Sequence, residues 1–224
     1  MASPIIEKAR KEQERLRKGL LISSLDEGKV GLLCGVDVSY LGKREDIFSA
    51  AVLFSYPAME VLEEVYTLRE TSFPYIPGYL AFREVPTILD SLKKMEGNPD
   101  LIICDGHGIA HPRGFGLASH LGVVKGVPTI GIAKKKLVGE YGPPGEEKGA
   151  SSPLIFEGKR VGTVLRTRGG VKPVFVSPGH LTDIESSLYF ARTLTGKYRI
   201  VEPIRRAHQL TVKVRKELMK GSHH

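Results

Sequence analysis

A short apolar run, Leu-Ile-Ile-Cys at residues 101–104, ends directly on Asp105, which Gly106 and Gly108 follow. The run comes after an Asn-Pro break and is β-branched at its centre, so it reads as a strand buried on both faces. The glycines let the chain turn sharply behind it, and let a ligand or another backbone approach where a Cβ would obstruct. Functional groups in open α/β sheets collect at the carboxyl ends of strands, so Asp105 is placed for chemistry. Asp-Gly also caps ordinary turns, and the rest of the chain has to decide between the two.

On either side of this junction the pattern is α/β. Residues 117–125 read as a helix and 128–133 as a strand, which with the first strand makes a βαβ unit, parallel and right-handed in its crossover. Upstream, strands at 30–39, 47–54 and 61–66 are joined by connections too short for parallel crossovers, the first of them the polar turn at 42–46, so they form an antiparallel meander. Downstream, 154–156, 160–166 and 173–176 read as short strands. Thr182 and Glu185 have capping-box spacing for a helix to about Leu194. A last helix starts at Glu202-Pro203, with Ile204, Ala207, Thr211, Val214 and Leu218 as its core stripe and His208 beside it. Residues 4–20 are rich in helix formers and poor in apolar positions, which predicts a charged surface helix. The expectation is one mixed α/β domain over residues 1–220, its central sheet part antiparallel and part parallel and flanked by helices. Residues 221–224, with His223 and His224, read as the remnant of an expression tag and enter no site.

Composition narrows the partners. A chain of 224 residues that is 41% hydrophobic can bury a core without staples, and its formal charge of +8 favours an anionic partner, nucleic acid first. Cys34 and Cys104 lie inside apolar runs and read as small buried hydrophobes, not a disulfide or a zinc cluster. No segment is apolar over the length of a membrane span and the N-terminal segment is charged, so a cytoplasmic protein that does not engage membranes is expected.

Within this frame two more acids sit where the pattern buries them: Asp37 inside the strand 30–39, and Glu84 on the core side of a helix over 79–95, four residues from Leu80 and four from Ile88. Three buried carboxylates must be protonated or matched by cations. A hard divalent ion, Mg²⁺ or Mn²⁺, suits oxygen donors, whereas the scattered histidines offer no zinc spacing. Carboxylate-bound metal on a basic protein points to phosphoryl chemistry, and so to a nuclease. Lys134, first of three lysines after the strand 128–133, lies on the same edge as Asp105 and is placed for a phosphate. The segment Phe73-Pro74-Tyr75-Ile76-Pro77-Gly78 holds Tyr75 and Ile76 between two prolines. A support that stiff suits insertion between stacked bases, and a loop packed on its own core is the alternative.

Together these segments resemble the motifs of the endonuclease V family. They are Gly35-Val36-Asp37-Val38-Ser39, Phe73 to Gly78 with Phe82-Arg83-Glu84, Asp105-Gly106-His107-Gly108-Ile109-Ala110-His111-Pro112-Arg113, Gly131-Ile132-Ala133-Lys134 and Ser177-Pro178-Gly179-His180. The resemblance implies a ribonuclease H-like fold and Mg²⁺-dependent hydrolysis of the second phosphodiester bond on the 3′ side of deoxyinosine, leaving a 3′-hydroxyl and a 5′-phosphate. It implies that Asp37, Glu84 and Asp105 hold the metal, that His208 assists near it and that Lys134 meets the phosphate. It further implies that Tyr75, with Ile76 and Pro77, separates the strands, and that Gly78, Leu80, Gly106, His111 and Leu117 bind the lesion. A monomer is expected. Three alternatives stay open: an inosine-specific endoribonuclease, a nuclease of the same fold that reads junctions or flaps, and a nucleic-acid-binding domain without catalysis.

Overall fold

The computed structural model describes residues 3–41, 46–71 and 73–221; residues 42–45 of the predicted polar turn and 222–224 of the expected tag remnant lie outside them. In chain order the elements are α1 (Pro4–Arg17), β1 (Leu32–Leu41), β2 (Asp46–Ser55), β3 (Val61–Glu70), α2 (Ala81–Lys94), β4 (Leu101–Cys104), α3 (Leu117–Lys125), β5 (Thr129–Ala133), β6 (Ser151–Phe156), β7 (Lys159–Leu165), β8 (Val174–Pro178), α4 (Ile184–Thr193) and α5 (Glu202–Gly221). The strands form a single sheet in the order β3-β2-β1-β4-β5-β8-β7-β6. β1 to β3 make the antiparallel meander. β4 lies parallel between β1 and β5. β8 then returns antiparallel beside β5, so the parallel part is confined to three strands. This is the mixed α/β architecture expected.

Alternation along the strands sorts the core into two layers. Leu33, Leu101 and Ile103 pack with Phe190, Ile204 and Val214 of α4 and α5, whereas Cys34, Val36, Ile102 and Cys104 pack with Val85, Ile88 and Leu121 of α2 and α3. β4 is therefore covered on both sides, which its unbroken apolar run required. The period-two register also turns Asp37 toward α5 and Tyr40 toward α2. At Gly35 an added Cβ would lie 2.3 Å from the Pro203 carbonyl oxygen, so the missing side chain lets the first turn of α5 lie against β1.

Two local expectations need correction. α4 is capped by Asp183, whose carboxylate accepts from the Ser186 amide, while Thr182 donates its hydroxyl to the Thr129 carbonyl at 2.8 Å; the sheet claims Thr182 before the helix can use it. α1 is charged over most of its surface but buries Gln13, so it is not a purely solvated helix. α2 continues unbroken past Pro86, near its start, and Glu84 stays buried as the stripe requires.

Candidate active site

The parallel pairing of β1 with β4 ends at Val36 and Cys104. Asp37 and Asp105 are the next residue on each strand, and the Asp105 amide still donates to the Val36 carbonyl at 3.3 Å. Asp37 looks mid-strand in the sequence because β1 runs on against β2, yet on its β4 side the sheet has already stopped. The two acids therefore meet at the carboxyl edge, the expected place for a functional group. Glu84, in the first turn of α2, reaches the same place, and the three carboxylates line one cavity of about 210 Å³.

Each acid has its own partner. One Asp37 oxygen accepts from the Thr211 hydroxyl at 3.0 Å and lies 2.9 Å from His208 Nδ1, both on α5. The Tyr40 hydroxyl donates to Glu84 at 2.8 Å. Lys134, at the end of β5, donates to Asp105 at 2.5 Å. Burial and the neighbouring Asp105 charge push the Asp37 carboxyl up, against the pull of His208 and Thr211. Burial, opposed by the Tyr40 hydrogen bond and reinforced by the Asp37 and Asp105 charges, pushes Glu84 up to about 8.

The site fits a hard divalent cation by the chemistry of its donors. All three side chains present carboxylate oxygens, and two are held toward the neutral form by burial and mutual repulsion, which a cation would relieve. Among the described residues no three or more His, Cys, Asp or Glu side chains already stand in a metal-holding arrangement. The acids instead face Thr211 and His208, Tyr40 and Lys134 respectively.

A second cavity, of about 280 Å³, adjoins the first and shares Glu84, Asp105 and Leu117 with it. Its walls carry Tyr75, Pro77, Gly78, Leu80, Gly106 and His111, but not Ile76. Tyr75 is 57% exposed at its rim. His111 is buried, and burial with the Arg113 charge lowers it to about 4, so at neutral pH it is an uncharged wall group whose Nδ1 accepts from the Arg113 amide. The turn after Asp105 is fixed by backbone approach. A Cβ on Gly108 would lie 1.8 Å from the Pro178 carbonyl oxygen, and the Gly108 amide donates to the Ser177 hydroxyl at 2.8 Å. The Ser177-Pro178-Gly179-His180 motif thus supports the pocket floor from β8.

Sequence reading missed several participants. Tyr40 was legible in principle, because strand alternation places it opposite Asp37, on the side of α2. Thr211 reads from periodicity as part of the core stripe alone. Leu137 and Phe115 also line the second cavity but follow no periodic signal, and His107, between the two glycines after Asp105, lines it as well.

A family model described as Endonuclease V matches residues 14–209. A curated protein from Streptomyces avermitilis named Endonuclease V is 45% identical over 212 residues, 94% of this chain and 93% of that one. The crystal structure of endonuclease V from the same organism superposes with a TM-score of 0.90 at 44% identity, over 98% of this chain and 96% of that one. Ciona intestinalis endonuclease V, in complex with a 23mer DNA containing an inosine followed by a ribo-adenosine, superposes at 0.85 with 30% identity, over 97% of this chain and 100% of that one.

Proposed function

The chain belongs to the endonuclease V family, whose members are nucleases, and we propose that it hydrolyses the second phosphodiester bond on the 3′ side of deoxyinosine, leaving a 3′-hydroxyl and a 5′-phosphate. The observation that carries this reading is the junction of the two cavities: three carboxylates, from β1, from α2 and from just beyond β4, adjoin a pocket walled by glycines and rimmed by Tyr75. Asp37, Glu84 and Asp105 would hold Mg²⁺, with Mn²⁺ as a substitute. When bound, such a cation neutralises charge building on the phosphate oxygens.

The chain's own groups do the rest. Asp37 orients the His208 ring through Nδ1, which makes its other nitrogen the one able to take a proton from attacking water. Lys134 brings an ammonium beside Asp105, where the phosphate has to lie for the acids to act on it. Gly106 and Gly78 let backbone amides and carbonyls reach the edge of an extruded base, and Tyr75 fills the gap it leaves.

The ribonucleotide after inosine in the Ciona complex favours a second reading, cleavage at inosine in RNA. One experiment tests both. End-labelled DNA and RNA strands, each with one inosine, are incubated with Mg²⁺ or Mn²⁺ and product lengths are read to the nucleotide. Cuts one nucleotide beyond the inosine's own 3′ phosphate support the proposal, and the favoured sugar selects between the readings. Equal cutting of unmodified strands, or none with either metal, defeats both.

A further inference from the structure

The buried polar residue of α1 has no part in the chemistry above, yet it is tied to the lesion pocket. Gln13 is 2% exposed. Its amide nitrogen donates to the Phe115 carbonyl at 3.1 Å and to the Gly78 carbonyl at 3.3 Å, and its oxygen accepts from Arg113 Nε at 2.5 Å. Arg113 in turn donates through Nη2 to the same Gly78 carbonyl and lies 4.1 Å over the Tyr79 ring. Gly78 has φ +80°, and a Cβ there would stand 2.5 Å from that guanidinium nitrogen, so the contact needs this glycine. At the other end of the segment Arg83 Nη1 donates to the Phe73 carbonyl, and the Phe73 ring stacks on Phe82 with centroids 5.5 Å apart. The loop 73–78 is thereby gripped at both carbonyl ends by guanidinium groups, with the exposed Tyr75 between them.

We propose that Gln13 and Arg113 are positioning residues for strand separation: α1 locks the Gly78 end of the loop so that Tyr75 is held rigid against the stack. This rests on the reading of Tyr75 as the side chain that fills the gap left by an extruded base. A wedge opens a duplex only if its support does not yield, and a fully bonded buried amide on a forked guanidinium supplies such a support. Loss of the amide would leave two carbonyls and an Arg Nε without that partner, and the loop end would be free to shift. A base that is already unpaired needs no wedge, so the effect depends on the substrate.

The test uses Gln13→Leu, which keeps the bulk and removes the hydrogen bonds. For paired inosine KM should rise about tenfold with kcat within about twofold, and for single-stranded inosine the change should stay within about twofold. Equal losses on both substrates, or none on either, overturn the proposal. A second readout needs no substrate. The chain contains no Trp, so Tyr75→Trp places a single tryptophan at the loop tip, excited selectively beyond the tyrosine absorption. Adding Gln13→Leu should lower its anisotropy and raise its quenching by acrylamide; unchanged values overturn the clamp. If Gln13→Leu does not fold, Arg113→Lys, which keeps the charge but not the fork, carries the same comparisons. A wild-type protein that cuts neither inosine substrate refutes the proposed function, while the fluorescence still decides the clamp.

Discussion

Divalent-cation affinity should climb steeply with pH, because the acids that would bind the ion are held toward their neutral forms. Glu84, at about 8 against an ordinary value of 4.5, must give up its proton to become a ligand. About 1% of it is ionised near pH 6 and about 90% near pH 9, so its ionisation alone should strengthen Mg²⁺ binding roughly 90-fold between them, close to 3 kcal/mol. Asp37, pushed up by burial and by Asp105, adds to the change in the same direction. Calorimetric titration at fixed ionic strength, in buffers of different ionisation enthalpy, reads both affinity and protons. Near pH 7 roughly one proton should leave for each ion bound. Glu84→Gln should bind more weakly at about pH 9 and flatten the pH dependence to what Asp37 retains. A wild-type affinity that is constant across this range, or binding without proton release, would refute the assignment of these carboxylates.

Asp105→Asn should remove cleavage while leaving binding of inosine strands largely intact, because the shape persists and the charge does not; near wild-type cutting with Mg²⁺ sinks the metal assignment. Tyr75→Ala should weaken binding of an inosine duplex about five- to 150-fold, the loss of roughly 1 to 3 kcal/mol of stacking, with a smaller loss for single strands; equal losses together with a lower melting temperature would make Tyr75 structural. Gly108→Ala places its methyl 1.8 Å from a backbone oxygen, whereas at Gly106 the nearest atom is the end of the Leu117 side chain at 3.0 Å. Urea unfolding should therefore show a loss above about 3 kcal/mol at Gly108 and a clearly smaller one at Gly106, and comparable losses would contradict the packing. His120, buried between Phe82 and Phe115, is lowered by burial to about 4 from 6.5. The unfolded chain therefore binds its proton first, and up to about 3 kcal/mol of stability is lost as pH falls from 6.5 through 4. His120→Phe should remove that loss, and melting curves of both proteins at about pH 5 and pH 8 that keep the same separation would disprove it.

Much of this molecule follows from periodicity, which reports burial. The apolar run 101–104 had to be covered on both sides, the stripe on α5 had to face a core, and the short connections among the first three strands allowed only an antiparallel meander. The same signal placed Asp37, Glu84 and Asp105 in the interior, and the chemistry of buried carboxylates then asked for a cation. Periodicity does not report which buried groups are neighbours, because that depends on register and on contacts far apart in the chain. Asp37 comes beside Asp105 only because the β1–β4 ladder stops one residue earlier. His208 and Thr211 reach Asp37 across more than 170 residues of sequence, since Gly35 lets α5 lie close. Thr182 had the spacing of a cap and lost that role to Asp183, because a β5 carbonyl lay within its reach. Gln13, one polar residue on a charged helix, carries no local mark of its burial. It is interior because Arg113 and two pocket carbonyls from distant parts of the chain converge on it, and only the packed tertiary structure brings those partners together.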